Sequence, residues 1–158
     1  MLGVNLDMKK NQINKSKNKE FRKIIVAVDG SKSSKHAAKK AIDLAKDTGI
    51  HVIALYVVQE PNEIYPELGT MYPDAMVLIK KEGHLFLDEV KKMGSEIGVN
   101  VKTKLVIGHP DQEIIREAGK NDLIVMGCKG KSALNRILVG SVCEKVMHHS
   151  SSPVMVIR

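Results

Sequence analysis

Apolar residues along this 158-residue chain fall into two patterns, and the alternation between them predicts the fold. Short unbroken runs, Ile24-Ile25-Val26-Ala27-Val28, Val52 to Val58, Leu123-Ile124-Val125-Met126 and Val154 to Ile157, read as strands buried on both faces, as in a parallel sheet. Between them apolar residues recur at helical spacing. Ala37, Ala41, Leu44 and Ala45 mark a first helix, and Ile79, Phe86, Val90, Met93 and Ile97 a long second one. Ile114, Ile115 and Ala118 mark a short third, and Val142, Cys143, Val146 and Met147 a fourth. One strand departs from the rule: Val99, Val101, Thr103 and Leu105 alternate with Asn100, Lys102 and Lys104, the pattern of a half-exposed sheet edge. The order β-α-β-α-β-α-β-α-β predicts an α/β fold, an open five-stranded parallel sheet with right-handed crossovers.

Punctuation supports these boundaries. Ser31 or Ser33 can cap the first helix and Gly49 ends it, while Pro110 suits the first turn of the third. Gln59 to Pro73 holds three prolines, a glycine and two tyrosines, so it reads as a long loop or a partly helical excursion. Residues 1–20 are polar and aperiodic, which predicts a disordered basic tail, or alternatively a basic arm. Residues 21–158 remain as a single domain without internal repeat.

Composition narrows the function. There is no tryptophan and few other aromatics, so the core must be aliphatic and platforms for base stacking are scarce. The formal charge of +7 is partly in the tail, where five lysines stand against Asp7 and Glu20; the remainder carries +4. This argues against dedicated nucleic-acid binding. Cys128 and Cys143 have no framework spacing, and no signal peptide or membrane-length apolar run is evident, so the expected setting is a reducing cytoplasm with no membrane partner.

The candidate chemistry lies behind the fourth strand. Gly127-Cys128-Lys129-Gly130 follows its last apolar residue, and after nine more residues Gly140-Ser141 heads a helix. Glycines let backbone N–H groups approach a ligand, and the helix start adds its dipole, so together they can form a phosphate site. Gly130-Lys131-Ser132 resembles the tail of a Walker A loop, but Val125 stands where its leading glycine would be. A dinucleotide fingerprint after the first strand is excluded too, since Asp29-Gly30-Ser31-Lys32-Ser33 has one glycine. Ligands of open parallel sheets bind beyond the strand ends where strand order reverses, which an order of 3-2-1-4-5 places at Asp29 and Gly127. Asp29 can hydrogen-bond a ribose hydroxyl, hold a divalent cation, or form an Asx turn. Lys129 and Lys131 can neutralise phosphate or be solvated loop lysines, and Arg136 is the arginine placed to reach phosphates. Cys128 reads as a small loop side chain, with a redox role as the alternative. The six histidines form no metal or catalytic set; His148 and His149 suit the last turn of a helix.

The full pattern Gly-x2-Gly-x9-Gly-Ser, with Val26-Ala27-Val28-Asp29-Gly30-Ser31 and Ser152-Pro153-Val154-Met155-Val156-Ile157, resembles the universal stress proteins in their ATP-binding branch, over residues 22–158. The resemblance implies a Rossmann-like fold of the adenine nucleotide α-hydrolase-like kind, with strand order 3-2-1-4-5 and helices on both faces. It implies ATP, alone or with Mg or Mn, as ligand. The residues it assigns to the nucleotide are Ala27, Val28 and Asp29, Val57 through its main chain to the base, Met126, Gly127 and Gly130, and Gly140, Ser141 and Val142. In the order 3-2-1-4-5 the apolar strand Val154-Met155-Val156-Ile157 lies at the edge opposite Lys102 and Lys104, so a homodimer through the C-terminal strand is expected. The alternative is a monomer whose last strand is covered by the neighbouring helix. A protein partner is expected that the sequence does not identify.

Three functions follow as expectations. The first is a nucleotide-dependent stress or signalling module with no assigned catalytic residue and at most slow ATP hydrolysis, because no general base or Walker magnesium ligand is evident. The second is a nucleotide-activating enzyme of the same superfold, adenylylating or slowly hydrolytic; the His-x-Gly-His and Ser-Gly-Gly-x-Asp-Ser signatures of such enzymes are missing. The third is a dimeric interaction protein without ATP, which the intact glycine spacing disfavours.

Overall fold

A computed structural model of the protein describes residues 20–59, 72–129 and 139–158. The tail up to residue 19, most of the 59–73 excursion, Gly130, Lys131 and Arg136 lie outside the described residues. The elements are β1 (Lys23–Ala27), α1 (Lys32–Thr48), β2 (His51–Val58), α2 (Tyr72–Glu96), β3 (Val101–Ile107), α3 (Pro110–Glu117), β4 (Leu123–Gly127), α4 (Ser141–His149) and β5 (Val154–Ile157). They form one five-stranded sheet in the order β3-β2-β1-β4-β5, with every pairing parallel. The order reverses between β1 and β4, which pair through Ile24–Leu123, Ile25–Ile124 and Val26–Val125.

Alternate residues of the central strands feed two cores. Ile24, Val26, Val52, Ala54, Tyr56 and Val125 pack under α1 and α2, while Ile25, Leu55, Ile124 and Met126 pack under α3 and α4. The continuous apolar runs thus reflect burial on both faces of the sheet. Helix α1 comes close to it because Ala37, Ala38, Ala41 and Ala45 face inward. Ser31 caps α1 by accepting the Ser34 N–H (3.1 Å). Gly49 closes it in the left-handed region (φ 68°), donating its N–H to Ala45 O at 2.8 Å. In α2 a Cβ at position 83 would lie 2.6 Å from the Tyr56 ring, so glycine there lets the helix press onto β2.

The edge strand differs from its alternation. Val101 is buried and Leu105 half-buried as expected, but Thr103 is exposed and Val99 precedes the strand. Val106 is half-buried against the α3–α4 core. At the lower end of the sheet α2 lies tightly on β3, where a Cβ at Gly94 would meet Val101. Among the described residues no helix is long and apolar enough to cross a membrane.

Candidate functional site

The site is built where β1, β2 and β4 end. After β1 the chain leaves the sheet through Asp29 and Gly30, and Asp29 Oδ1 accepts the Ser31 N–H at 2.9 Å. That is the Asx turn, and it fixes the carboxylate at the mouth of the β1–β4 split. Gly30 adopts φ 80°. Before the turn, Val28 N–H still donates to Leu55 O at 2.9 Å, the last bond that β1 gives to β2.

That bond also fixes the direction of the next free edge. Successive residues of a strand point their main-chain groups to opposite neighbours, and Leu55 O faces β1 while Val58 O faces β3, accepting from Gly108 N–H at 3.0 Å. Val57 therefore turns its N–H and C=O toward the β1 side, above the point where β1 has turned away. A donor and an acceptor stand side by side on a rigid strand.

At the end of β4, Gly127 is glycine for a reason that its neighbours reveal. A Cβ there would collide with Ser33 in the first turn of α1, lying 2.6 Å from its backbone carbon. The glycine makes room for a helix, a separate matter from any approach of ligand. Cys128 then ties three elements: its N–H donates to Ile157 O at the end of β5 (2.8 Å), and its C=O accepts the Gly140 N–H (2.8 Å). Both halves of the glycine pattern are thereby joined through one residue's main chain. The Cys128 side chain is buried, as a small loop side chain would be.

Helix α4 has Gly140 at its N-cap, in extended backbone (φ −66°, ψ 146°) and without a side-chain cap. Its first internal bond runs from Glu144 N–H to Gly140 O (2.9 Å), so the N–H groups of Ser141, Val142 and Cys143 find no acceptor within the helix. They form the positive end of its dipole.

Between these parts lies a cavity of about 280 Å³. Ala27, Val28, Asp29, Val57, Met126, Gly127, Gly140, Ser141 and Val142 all line it, so the structure brings together the residues that the resemblance assigns to the nucleotide, apart from Gly130, which lies outside the described residues with Lys131 and Arg136. Lys129 lines it as well. Ser34, Leu55, Tyr56, Pro110, Ile114 and Cys143 complete the lining and were not anticipated there. Pro110 and Ile114 carried a signal, since a helix opening directly after a strand's carboxyl end must start beside the site. Tyr56 carried none, being one apolar position in a buried run.

Electrostatics follow the burial. Desolvation pushes the Tyr56 phenol above its ordinary range, with the Glu82 and Asp29 carboxylates adding to the rise. Burial likewise raises the Cys143 thiol, with a smaller contribution from Cys128. Among the described residues no three His, Cys, Asp or Glu side chains are grouped to hold a metal. His149 Nδ1 lies 2.8 Å from Lys145 O in the last turn of α4, an exposed helix-end contact remote from the cavity lining.

A model of the Universal stress protein family matches residues 20–158. The universal stress protein MJ0531 of Methanocaldococcus jannaschii is 42% identical over 144 residues, covering 87% of this chain and 82% of its own length. Among solved structures, the protein MJ0577 of the same organism superposes with a TM-score of 0.75 at 31% identity, covering 87% of this chain and 96% of its own. A universal stress protein from Archaeoglobus fulgidus, solved in complex with dAMP, shares the fold at a TM-score of 0.62 and 21% identity, over 87% of this chain and 98% of its own.

Proposed function

The chain belongs to the universal stress protein family, and from that premise we propose that residues 21–158 act as a single ATP-binding domain whose nucleotide state governs a stress or signalling interaction. The observation that carries the reading is the cavity: Gly127, Gly140 and Ser141 of the glycine pattern converge on one space that also meets Val57 on the β2 edge beyond the end of β1.

Each part of an adenine nucleotide has a matching group there. The Val57 N–H and C=O complement the N1 acceptor and the amino donor of adenine, and Leu55, Met126, Pro110 and Ile114 supply apolar walls for the ring. Asp29 faces the ribose hydroxyls from the β1 end. The N–H groups of Ser141, Val142 and Cys143, which have no acceptor within α4, suit phosphate oxygens at a helix start, with Lys129 on the cavity wall for charge. A Mg or Mn ion fits only as a companion of the phosphates, because Asp29 is the single carboxylate of the described lining and hard divalent cations want several oxygen ligands. Bound nucleotide in a relative of the same fold, the dAMP complex, agrees with this reading.

Binding is favoured over catalysis. Asp29 is held by the Ser31 N–H, no histidine lines the cavity, and a base for an attacking water is not supplied by the described lining. We propose in addition a homodimer through β5, whose outer edge is unpaired among the described residues. The deciding experiment is mass spectrometry of small molecules released from freshly purified, denatured protein, together with calorimetric titration of ATP and magnesium. Released adenine nucleotide or a saturable heat supports the proposal; neither heat nor thermal shift at millimolar ATP removes it.

A further inference from the structure

Ser33 stands in the first turn of α1, yet capping that helix falls to Ser31. Its hydroxyl serves two other elements instead. Ser33 Oγ lies 3.3 Å from Ile157 O, to which it donates, and 3.4 Å from Lys129 N, from which it accepts. Ile157 O also accepts the Cys128 N–H at 2.8 Å. On the other side of the same peptide segment, Ser31 Oγ donates to Lys129 O at 3.3 Å. Both main-chain groups of Lys129 are thus held by serines at the start of α1, and Gly127 is bare so that Ser33 can come this close.

Ser33 itself is absent from the lining of the cavity, whereas Gly127 and Lys129 form part of it. Any influence of Ser33 on a ligand must therefore pass through the loop. We infer that Ser33 is a positioning residue for the phosphate end of the nucleotide: its hydroxyl fixes the Cys128–Lys129 segment against α1 and the end of β5, and so fixes from where Lys129 and the head of α4 face the cavity. The link to α4 is the Gly140 N–H to Cys128 O bond (2.8 Å). This inference rests on the nucleotide reading proposed above. The base and ribose ends of the cavity, at Val57 and Asp29, are held by β2 and by the Asx turn and do not depend on Ser33.

The separation of the two ends gives the test. ATP affinity is measured by calorimetry, and adenosine affinity by its competition with ATP, for the unaltered protein, Ser33→Ala and Ser33→Cys. Alanine empties the site, whereas cysteine fills it with a larger atom that bonds weakly, so a loss common to both follows the hydrogen bonds and not the packing. Both variants are expected to bind ATP about three- to tenfold more weakly, the range of one net hydrogen bond, while adenosine stays within about twofold. An equal loss for ATP and adenosine would reveal a merely structural serine, and unchanged ATP affinity in both variants would also overturn the inference. Should the unaltered protein bind neither ligand, the nucleotide reading fails first and this inference falls with it.

Discussion

The ring of Phe86 fills the space that a side chain on Gly30 would need. A Cβ built at Gly30 falls among the ring atoms of Phe86, and the backbone there has φ 80°, a region that side-chain-bearing residues rarely adopt. Phe86 in turn lies against Tyr56, with ring centroids 6.2 Å apart and planes tilted by 31°. Helix α2 is therefore wedged beneath the turn that carries Asp29. Gly30→Ala should destabilise the fold by about 2–4 kcal/mol, combining left-handed backbone strain with overpacking. Adding Phe86→Leu should recover the packing share and leave the backbone share, which a double-mutant cycle in denaturant unfolding resolves. A fully additive cycle would show that the ring is not what excludes the side chain.

Gly140 makes a contrasting case. Its extended backbone angles are open to any residue, so Gly140→Val should fold normally. The branched side chain would stand at the head of α4 among the donors of Ser141 and Val142. Loss of about 2 kcal/mol in ATP binding is expected, the cost of leaving such donors blocked or unpaired. Calorimetry checks it alongside a thermal melt, and unaltered ATP affinity in a folded variant would remove Gly140 from the site.

These two glycines show what a sequence can and cannot disclose here. The sheet was legible because Ile24–Val28, Val52–Val58 and Leu123–Met126 are buried on both faces, and only parallel strands between helices ask for that. The edge position of β3 was legible from its lysines, although Thr103 turned out exposed. The gathering of Asp29, Gly127 and Gly140 could be read because it follows from strand order and from spacing along one stretch of chain. What stayed hidden are contacts between remote segments. Gly127 against Ser33 and Gly30 against Phe86 are steric fits that no local pattern encodes. The same holds for Tyr56, an ordinary core position until the fold places a cavity beside it.

Cys143 offers a chemical probe of that cavity. Burial holds its thiol above the ordinary range, so at neutral pH little thiolate exists. The folded state keeps this proton to higher pH than the unfolded chain does. The stability it contributes is complete below the unfolded thiol's pKa and is lost as pH rises through the folded value. Alkylation by iodoacetamide should be slow at neutral pH, quicken under alkaline conditions, and slow again when ATP fills the cavity that Cys143 lines. Peptide mass mapping reads each cysteine separately. Rapid labelling of Cys143 at neutral pH, indifferent to ATP, would contradict both the burial and the ligand placement.

Hydrolysis should be slow. Kinases turn over at roughly 1–100 per second with an assigned base and metal ligands, so a cavity whose described lining offers Asp29 as its single carboxylate should release phosphate on the order of once per minute or less. A multiple-turnover phosphate assay with ATP and magnesium measures this. Several turnovers per second, without a partner protein, would promote the enzyme reading.

The two sheet edges differ in a way that bears on assembly. At β3, Lys102 and Lys104 are exposed, and edge lysines oppose pairing with another chain. At the opposite edge β5 pairs with β4 from Ile124–Val154 to Gly127–Ile157, and no described strand lies beyond it. Its residues are not covered as core residues are: Val154, Val156 and Ile157 are half-buried and Met155 is 38% exposed. An apolar strand left with unpaired main-chain groups invites a second copy, and antiparallel pairing of β5 with itself about a two-fold axis gives a self-complementary interface. The C-terminal end of β5 also accepts the Cys128 N–H through Ile157 O, so the same strand would join the proposed interface to the glycine loop. Val156→Lys places a charge on that edge, and Val156→Pro removes a main-chain donor. Analytical ultracentrifugation at tens of micromolar should show a dimer for the unaltered protein and monomer for both variants, with the folds intact by circular dichroism. A monomeric unaltered protein under those conditions, or a dimer that survives both substitutions, would place any assembly elsewhere on the molecule.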